Sequence, residues 1–260
     1  MTDKITAVLL DLDGTVYSGK AAVPGAADFV ASLGRRGVAH LFVTNRANRS
    51  PRAVAEQLSG LGIPCEAEAV LTSAQATAAR LGGGRAFCLG EEGLLEAFDE
   101  AGIAIVEEES ETLPDWVVVS YDRGLSYRKL ELAIRFIRAG AGFIATNPDL
   151  LITSDEGLSP EAGVLLAALE AATGQRAKIV GKPERAIVDA AIARLGRPRE
   201  ETVIIGDNLA TDIAAGHNAG LRSALILTGI STRAEAEAAE QPPHWIAEDY
   251  GALESQLFGG

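Results

Sequence analysis

The sequence predicts an α/β fold built on a largely parallel sheet, and three observations lead there. Short apolar, β-rich runs alternate with helical segments along nearly the whole chain. Four of those runs end in polar residues, the pattern of open parallel sheets that bind ligands beyond the carboxyl ends of their strands. At 260 residues the chain can also bury a full core, as one large domain or two smaller ones.

In chain order, Ile5–Leu10 reads as the first strand and "AVPGAADFVASLGRRG" as a helix. "VAHLFVTN" supplies the second strand. "SPRAVAEQLSGLG" is a helix with Ser50 as its cap and Pro51 in its first turn, closed by Gly60 or Gly62. A block with its own α/β rhythm follows. It runs through the strand "GRAFCLG", the helix "EEGLLEAFDEAG", the strand "PDWVVVSYD", the helix "SYRKLELAIRFIRAG", the strand "AGFIATN" and the helix "SPEAGVLLAALEAATG". The first rhythm then resumes with the strand "AKIVGKP", the helix "ERAIVDAAIARLG", the strand "ETVIIGDN", the helix "LATDIAAGHNAG" and the strand "SALILTG". The tail reads as a connection, an edge element and a closing helix. The expected organisation is a core of residues 1–73 and 178–260 carrying an inserted α/β domain at 74–177.

A formal net charge of −13 argues against nucleic acid or an anionic membrane surface as the main partner. The two cysteines, Cys65 and Cys88, lack metal-ligand spacing and read as thiols in a reducing compartment. The N-terminal "MTDKITAVLL" lacks the zones of a signal peptide, and no apolar run approaches a membrane span. The expectation is a soluble, cytoplasmic protein.

The polar strand ends form a set. Ile5–Leu10 ends in Asp11 and Asp13, and Leu41–Val43 ends in Thr44 and Asn45. Ile179–Val180 runs through Gly181 to Lys182, while Val203–Ile205 runs through Gly206 to Asp207, with Asp212 five residues on. If the strands are neighbours, several carboxylates, a hydroxyl and an ammonium meet in one cleft. Clustered carboxylates raise each other's pKa or recruit a cation, and Asp11 with Asp207 suits Mg²⁺. Lys182 and Thr44 then suit an anion beside the metal, with phosphate the most economical candidate. Asp212 equally fits a helix first turn, where the dipole favours a carboxylate. No G-x-G-x-x-G follows the first strand, which speaks against dinucleotide binding.

"DLDGTVYSG", "FVTN", "GKP" and "GDNLATDIAAG", in this order, resemble the four motifs of the haloacid dehalogenase-like phosphatases. The inserted block is similar to the cap of the NagD-like, or nitrophenylphosphatase, branch. The resemblance implies a Rossmann-like core and a Mg²⁺-dependent phosphomonoesterase acting on a small phosphate ester, such as a sugar phosphate or a nucleotide. It makes Asp11 the nucleophile that forms an aspartyl-phosphate and Asp13 the acid–base group. Asp11, the Asp13 carbonyl and Asp207 would hold the metal, Asp212 would hold metal-bound water, and Thr44, Asn45 and Lys182 would bind phosphate. A phosphomutase of the same superfamily and a phospho-accepting signalling module are the alternatives. Asn147, Asp149 and Asp122 fall in the insert and suit either turns or substrate contact. Two departures bear on the leaving group: Arg46 stands where the branch commonly has a second asparagine, and Glu161 replaces the first glycine of Pro-Gly-x-Gly. The insert also offers a surface for a homodimer.

Overall fold

The computed structural model describes residues 4–110, 112–154 and 157–259. The chain forms two compact units, one of Met1–Thr44, Pro51–Leu71 and Lys182–Gly260, the other of Asn45–Ser50 and Thr72–Gly181.

The first unit is organised by a six-stranded sheet in the order Trp245–Ala247, Arg222–Ile226, Thr202–Gly206, Ala7–Leu10, Ala39–Thr44, Val70–Thr72. The first five run parallel, with Leu10 opposite Ile205 on one side and Phe42 on the other. All four residues of Ala7–Leu10 are buried, as a strand covered on both faces requires. Val8, Leu10, Phe42, Val203 and Ile205 share a core with Phe29 and Leu33 of the helix Ala26–Arg36, Val54 and Leu58 of Pro51–Gly60, and Leu253 of Tyr250–Phe258. Their equally buried neighbours Leu9, Leu41 and Ile204 project to the other face by strand alternation. The helix Arg185–Leu195 packs against Ala39–Thr44 and against the helix Ala214–Ala219. From Ala7–Leu10 the chain moves to one side of the sheet and returns to build the other. The switch in strand order therefore flanks Ala7–Leu10, where parallel sheets open a ligand crevice.

The second unit has a five-stranded parallel sheet in the order Lys178–Ile179, Gly142–Ala145, Trp116–Val119, Arg85–Leu89, Ala104–Ile105. Phe87, Leu89, Val117 and Val119 pack with Leu132 and Phe136 of the helix Tyr127–Arg138 and with Leu166 and Leu169 of Ala162–Thr173. Ser126 caps the first of these helices, accepting from Lys129 N at 3.0 Å. An antiparallel hairpin, Leu151–Ser154 with Gly157–Pro160, completes the unit.

Two local outcomes differ from the sequence reading, and a third settles an alternative. The run through Ile179, expected as a core strand, pairs with Gly142–Ala145 in the smaller sheet and crosses to the first unit only at Lys182. The helix expected over 209–220 opens as a wide π-type turn, Leu209–Ile213, before the α-helix Ala214–Ala219. Of the two glycines expected to close Pro51–Gly60, Gly62 is the one that takes the left-handed conformation. Among the described residues no helix is long and apolar enough to cross a membrane.

Candidate active site

The site forms where the central strands of the first unit end. Asp11 directly follows Ala7–Leu10, and its amide still donates to Ile205 O at 2.9 Å, so the sheet holds it in place. The chain then reverses: Leu12 O accepts from the amides of Val16 and Tyr17 at 2.8 and 3.1 Å, and Gly14 adopts φ 81°. A side chain at Gly14 is excluded for a second reason, since a Cβ there would lie 2.4 Å from Asp207 Oδ2.

Lys182 and Asp207 both come to Asp11. The Lys182 ammonium pairs with Asp11 Oδ1 and with Asp212 Oδ1, the latter at 2.6 Å, and reaches Val43 O at 3.4 Å beside the end of the Ala39–Thr44 strand. The Thr15 hydroxyl lies 3.4 Å from Asp11 Oδ2 and 3.2 Å from Asp207 Oδ1, linking the two carboxylates. Asp207 Oδ2 accepts from Ile230 N at 2.8 Å, and Asp212 Oδ2 from Asn208 N at 3.2 Å. The wide turn at Leu209–Ile213 is what carries Asp212 inward, and turns of this kind recur at functional sites. Thr44 is buried at the end of its strand. Asp13 stands apart from the three-carboxylate cluster, half-buried and accepting from Tyr17 Oη at 3.1 Å.

Asp11, Asp207 and Asp212 each offer a carboxylate oxygen, all within 4.8 Å of one another. Burial raises the Asp11 pKa well above the usual carboxylate range, and Asp212 adds to that while Lys182 opposes it. Asp207 is pushed up to about 6 by burial and then by Asp212. Burial would favour a neutral Lys182, but Asp11 and Asp212 outweigh it and keep the ammonium charged. Three carboxylates against one ammonium leave negative charge that a divalent cation would cancel. An all-oxygen donor set, fixed by backbone amides and Thr15, fits a hard metal ion.

Three contributors escaped the sequence reading. Thr15 bridges the carboxylates although the motif "DLDGTVYSG" is read for Asp11 and Asp13 alone. The loop after Arg222–Ile226 wraps Asp207: Ile230 supplies an amide, and a Cβ on Gly229 would lie 1.8 Å from Asp207 Oδ2. Tyr250, from the helix Tyr250–Phe258, donates to Thr15 O at 2.9 Å and packs its ring, tilted, 5.0 Å from that of Phe29. Burial, then Asp11 and Asp207, raise its pKa, so the phenol remains a donor. Their roles depend on distant partners or on the backbone: Thr15 meets Asp207 across 192 residues, Tyr250 meets Thr15 across 235, and Ile230 acts through its amide.

Within the second unit, Asn45 Nδ2 donates to Asp149 Oδ2 at 2.9 Å, and Asn147 Nδ2 donates to Asn45 O at 2.9 Å. Asp122 is buried against Lys129, 2.8 Å from its ammonium. Glu161 is buried too, beside Asn147.

The chain is similar to known proteins over most of its length. The family model described as haloacid dehalogenase-like hydrolase matches residues 8–104, and a related HAD-hydrolase-like model matches 179–253. The chain is 40% identical over 243 residues to the 5'-nucleotidase YutF of Bacillus subtilis, covering 92% of this chain and 93% of that protein. It is 36% identical over 255 residues to the acid sugar phosphatase of Staphylococcus aureus, covering 96% and 97%. Among solved structures, the 4-nitrophenylphosphatase of Thermotoga maritima superposes with a TM-score of 0.90 at 35% identity, covering 98% of each chain. NagD from E. coli K-12 gives 0.88 at 35% identity, covering 95% of this chain and 97% of its own. With four motifs at one strand-end crevice and relatives matched over nearly their full lengths, the chain belongs to the haloacid dehalogenase-like hydrolases, in their NagD-like phosphatase branch.

Proposed function

We propose that this protein is a Mg²⁺-dependent phosphomonoesterase that hydrolyses a small phosphorylated metabolite through an aspartyl-phosphate. The observation that carries this reading is the meeting of Lys182, Asp11, Asp207 and Asp212 at the sheet's switch point.

Asp11 is the nucleophile. Its Oδ1 is charge-paired with Lys182, which orients the carboxylate and counters the rise that burial imposes on its pKa. Attack on phosphorus splits one difficult transfer into two easier ones. Lys182 and Thr44 bind the phosphoryl oxygens, and Asn45 holds Thr44 from the adjoining peptide. Asp13, outside the buried cluster, protonates the leaving alcohol and then takes a proton from the hydrolytic water. Asp11, the Asp13 carbonyl and Asp207 hold Mg²⁺, with Asp212 behind them, fixed by Lys182 and Asn208 N. When bound, the ion supplies charge neutralisation and orientation of the phosphoryl group. The second unit serves as the cap that selects the leaving group, and its exposed face would carry any homodimer contact. The substrate is a free small ester in the cytoplasm, since a chain of net charge −13 does not suit nucleic acid.

A phosphate-release screen tests the reading, with nucleoside monophosphates, sugar phosphates and an aryl phosphate assayed with and without Mg²⁺. Release that requires Mg²⁺ is expected. A stable phosphoprotein without turnover, or isomerisation of a sugar phosphate without phosphate release, overturns it.

A further inference from the structure

The chain passes between the two units at four peptide bonds, and one residue holds three of these passages together. Asn45 begins the second unit immediately after Thr44. Its carbonyl accepts from Ser73 Oγ at 2.6 Å and from Asn147 Nδ2 at 2.9 Å, so the Leu71–Thr72 passage and the end of the Gly142–Ala145 strand are both tied to it. Its side chain donates to Asp149, whose own amide donates to Asn147 Oδ1 at 3.0 Å, closing a ring of three residues. Gly181, the last residue before Lys182, packs so tightly here that a Cβ would lie 2.6 Å from Asn45 Oδ1 and 2.4 Å from Thr146 O. Thr44 is thus one peptide bond from this ring, and Lys182 one peptide bond from the glycine packed against it.

Glu161 abuts the ring. Its Oε1 accepts from Asn147 Nδ2 at 3.2 Å, the same nitrogen that holds Asn45 O, while its Oε2 is buried without a hydrogen-bond partner. The residue is 4% exposed. A buried carboxylate with one oxygen unsatisfied is costly when charged and far less so when neutral.

We propose that Glu161 is a positioning residue for phosphate binding: its neutral carboxyl sustains the Asn45–Asn147–Asp149 ring, which fixes the peptides entering Thr44 and Lys182. The inference rests on the phosphatase reading above. Ionisation draws the side chain out of its buried seat, where Oε2 has no partner, and loosens Asn147, so the ring slackens as pH rises. The groups that face Glu161 agree with titration in the working range. Burial is the main cause that pushes its pKa up to about 7, with the Asp149 charge adding to it. The Asn147 amide, the Ala162 N–H and the Arg46 guanidinium oppose that rise.

The test compares kcat/KM for an aryl phosphate across pH in the wild type and in Glu161→Gln, using the full chain with Mg²⁺. Glutamine keeps the acceptor for Asn147 and cannot ionise. The variant-to-wild-type ratio cancels the titration of the substrate and of the groups common to both proteins. It is expected to stay near one at about pH 5.5 and to climb about tenfold by about pH 8.5, the effect of one pKa unit of coupling. A ratio flat with pH while both proteins hydrolyse the ester overturns this inference and leaves the phosphatase reading standing. Absence of Mg²⁺-dependent hydrolysis in both overturns the reading beneath it. Arg46→Gln provides a second arm if Glu161→Gln does not fold. Loss of that cation should move the alkaline fall of activity to higher pH by roughly half a unit, and an unmoved profile overturns the inference.

Discussion

Asp11 and Asp207 illustrate how burial turns ordinary carboxylates into a demand for a cation. Replacing Asp11 with asparagine keeps the shape but removes the proposed nucleophile, so turnover of an aryl phosphate should fall about a thousandfold or more in steady-state kinetics while phosphate binding persists. Asp207 makes a prediction about stability. Its folded pKa, about 6, lies above the ordinary carboxylate value of 3.8. Between those values the folded protein keeps a proton that the unfolded chain has released, so this group's contribution is intact at low pH and is lost as pH rises from about 4 to about 6. In metal-free buffer, Asp207→Asn should therefore gain stability relative to wild type across that window, by up to about 3 kcal/mol, as read by denaturant melts at each pH. Mg²⁺ should reverse the order by stabilising only the wild type. A difference that is constant with pH would remove Asp207 from the strained set. Gly229→Ala tests the wrapping loop: its methyl would displace Asp207 from the Ile230 amide. The measurable result is a Mg²⁺ requirement shifted to higher concentration in an activity titration.

At the scale of elements, the strands and helices with strong apolar periodicity were legible from the chain alone. Ala7–Leu10, Ala39–Thr44 and Thr202–Gly206 read as buried runs because all three lie in the interior of a parallel sheet. What the sequence concealed were elements decided by partners. Lys178–Ile179 is only two residues long, and its sheet is chosen by Gly142–Ala145 rather than by its own composition. Val70–Thr72 likewise becomes a strand only as the edge of the larger sheet. The wide turn at Leu209–Ile213 keeps a helical pattern in sequence, and its extra width is set by Asp212 reaching Lys182. Asp11, Asp13, Lys182 and Asp207 could be singled out in the sequence because each stands just past an apolar strand run. Thr15, Ile230 and Tyr250 could not, because a hydroxyl, an amide and a phenol gain meaning only from distant partners. One element carries a simple stability test: Thr72 and Gln75 form reciprocal caps on Ser73–Leu81. Thr72→Ala should cost about 1 kcal/mol in a thermal or chemical melt, and no loss would show that the first turn is held by packing instead.

For the whole molecule, the net charge of −13 sets a long-range condition on catalysis. A dianionic ester approaches against the mean field of the protein, while Lys182 and a divalent ion attract it only at short range. Moderate salt screens the repulsion more than it weakens the buried attraction. kcat/KM should accordingly rise by about twofold from very low ionic strength to about 0.15 M in an inert salt, with kcat nearly unchanged. A fall instead would place positive steering charge at the entrance.

The Tyr250 hydroxyl has one further consequence, since it fastens the helix Tyr250–Phe258 to the backbone of Thr15, four residues beyond Asp11. The loop that presents Asp11 is therefore completed only by a helix 235 residues further along. Synthesis must run as far as Tyr250 before that loop can be pinned, and losing this helix would disarm an otherwise intact front.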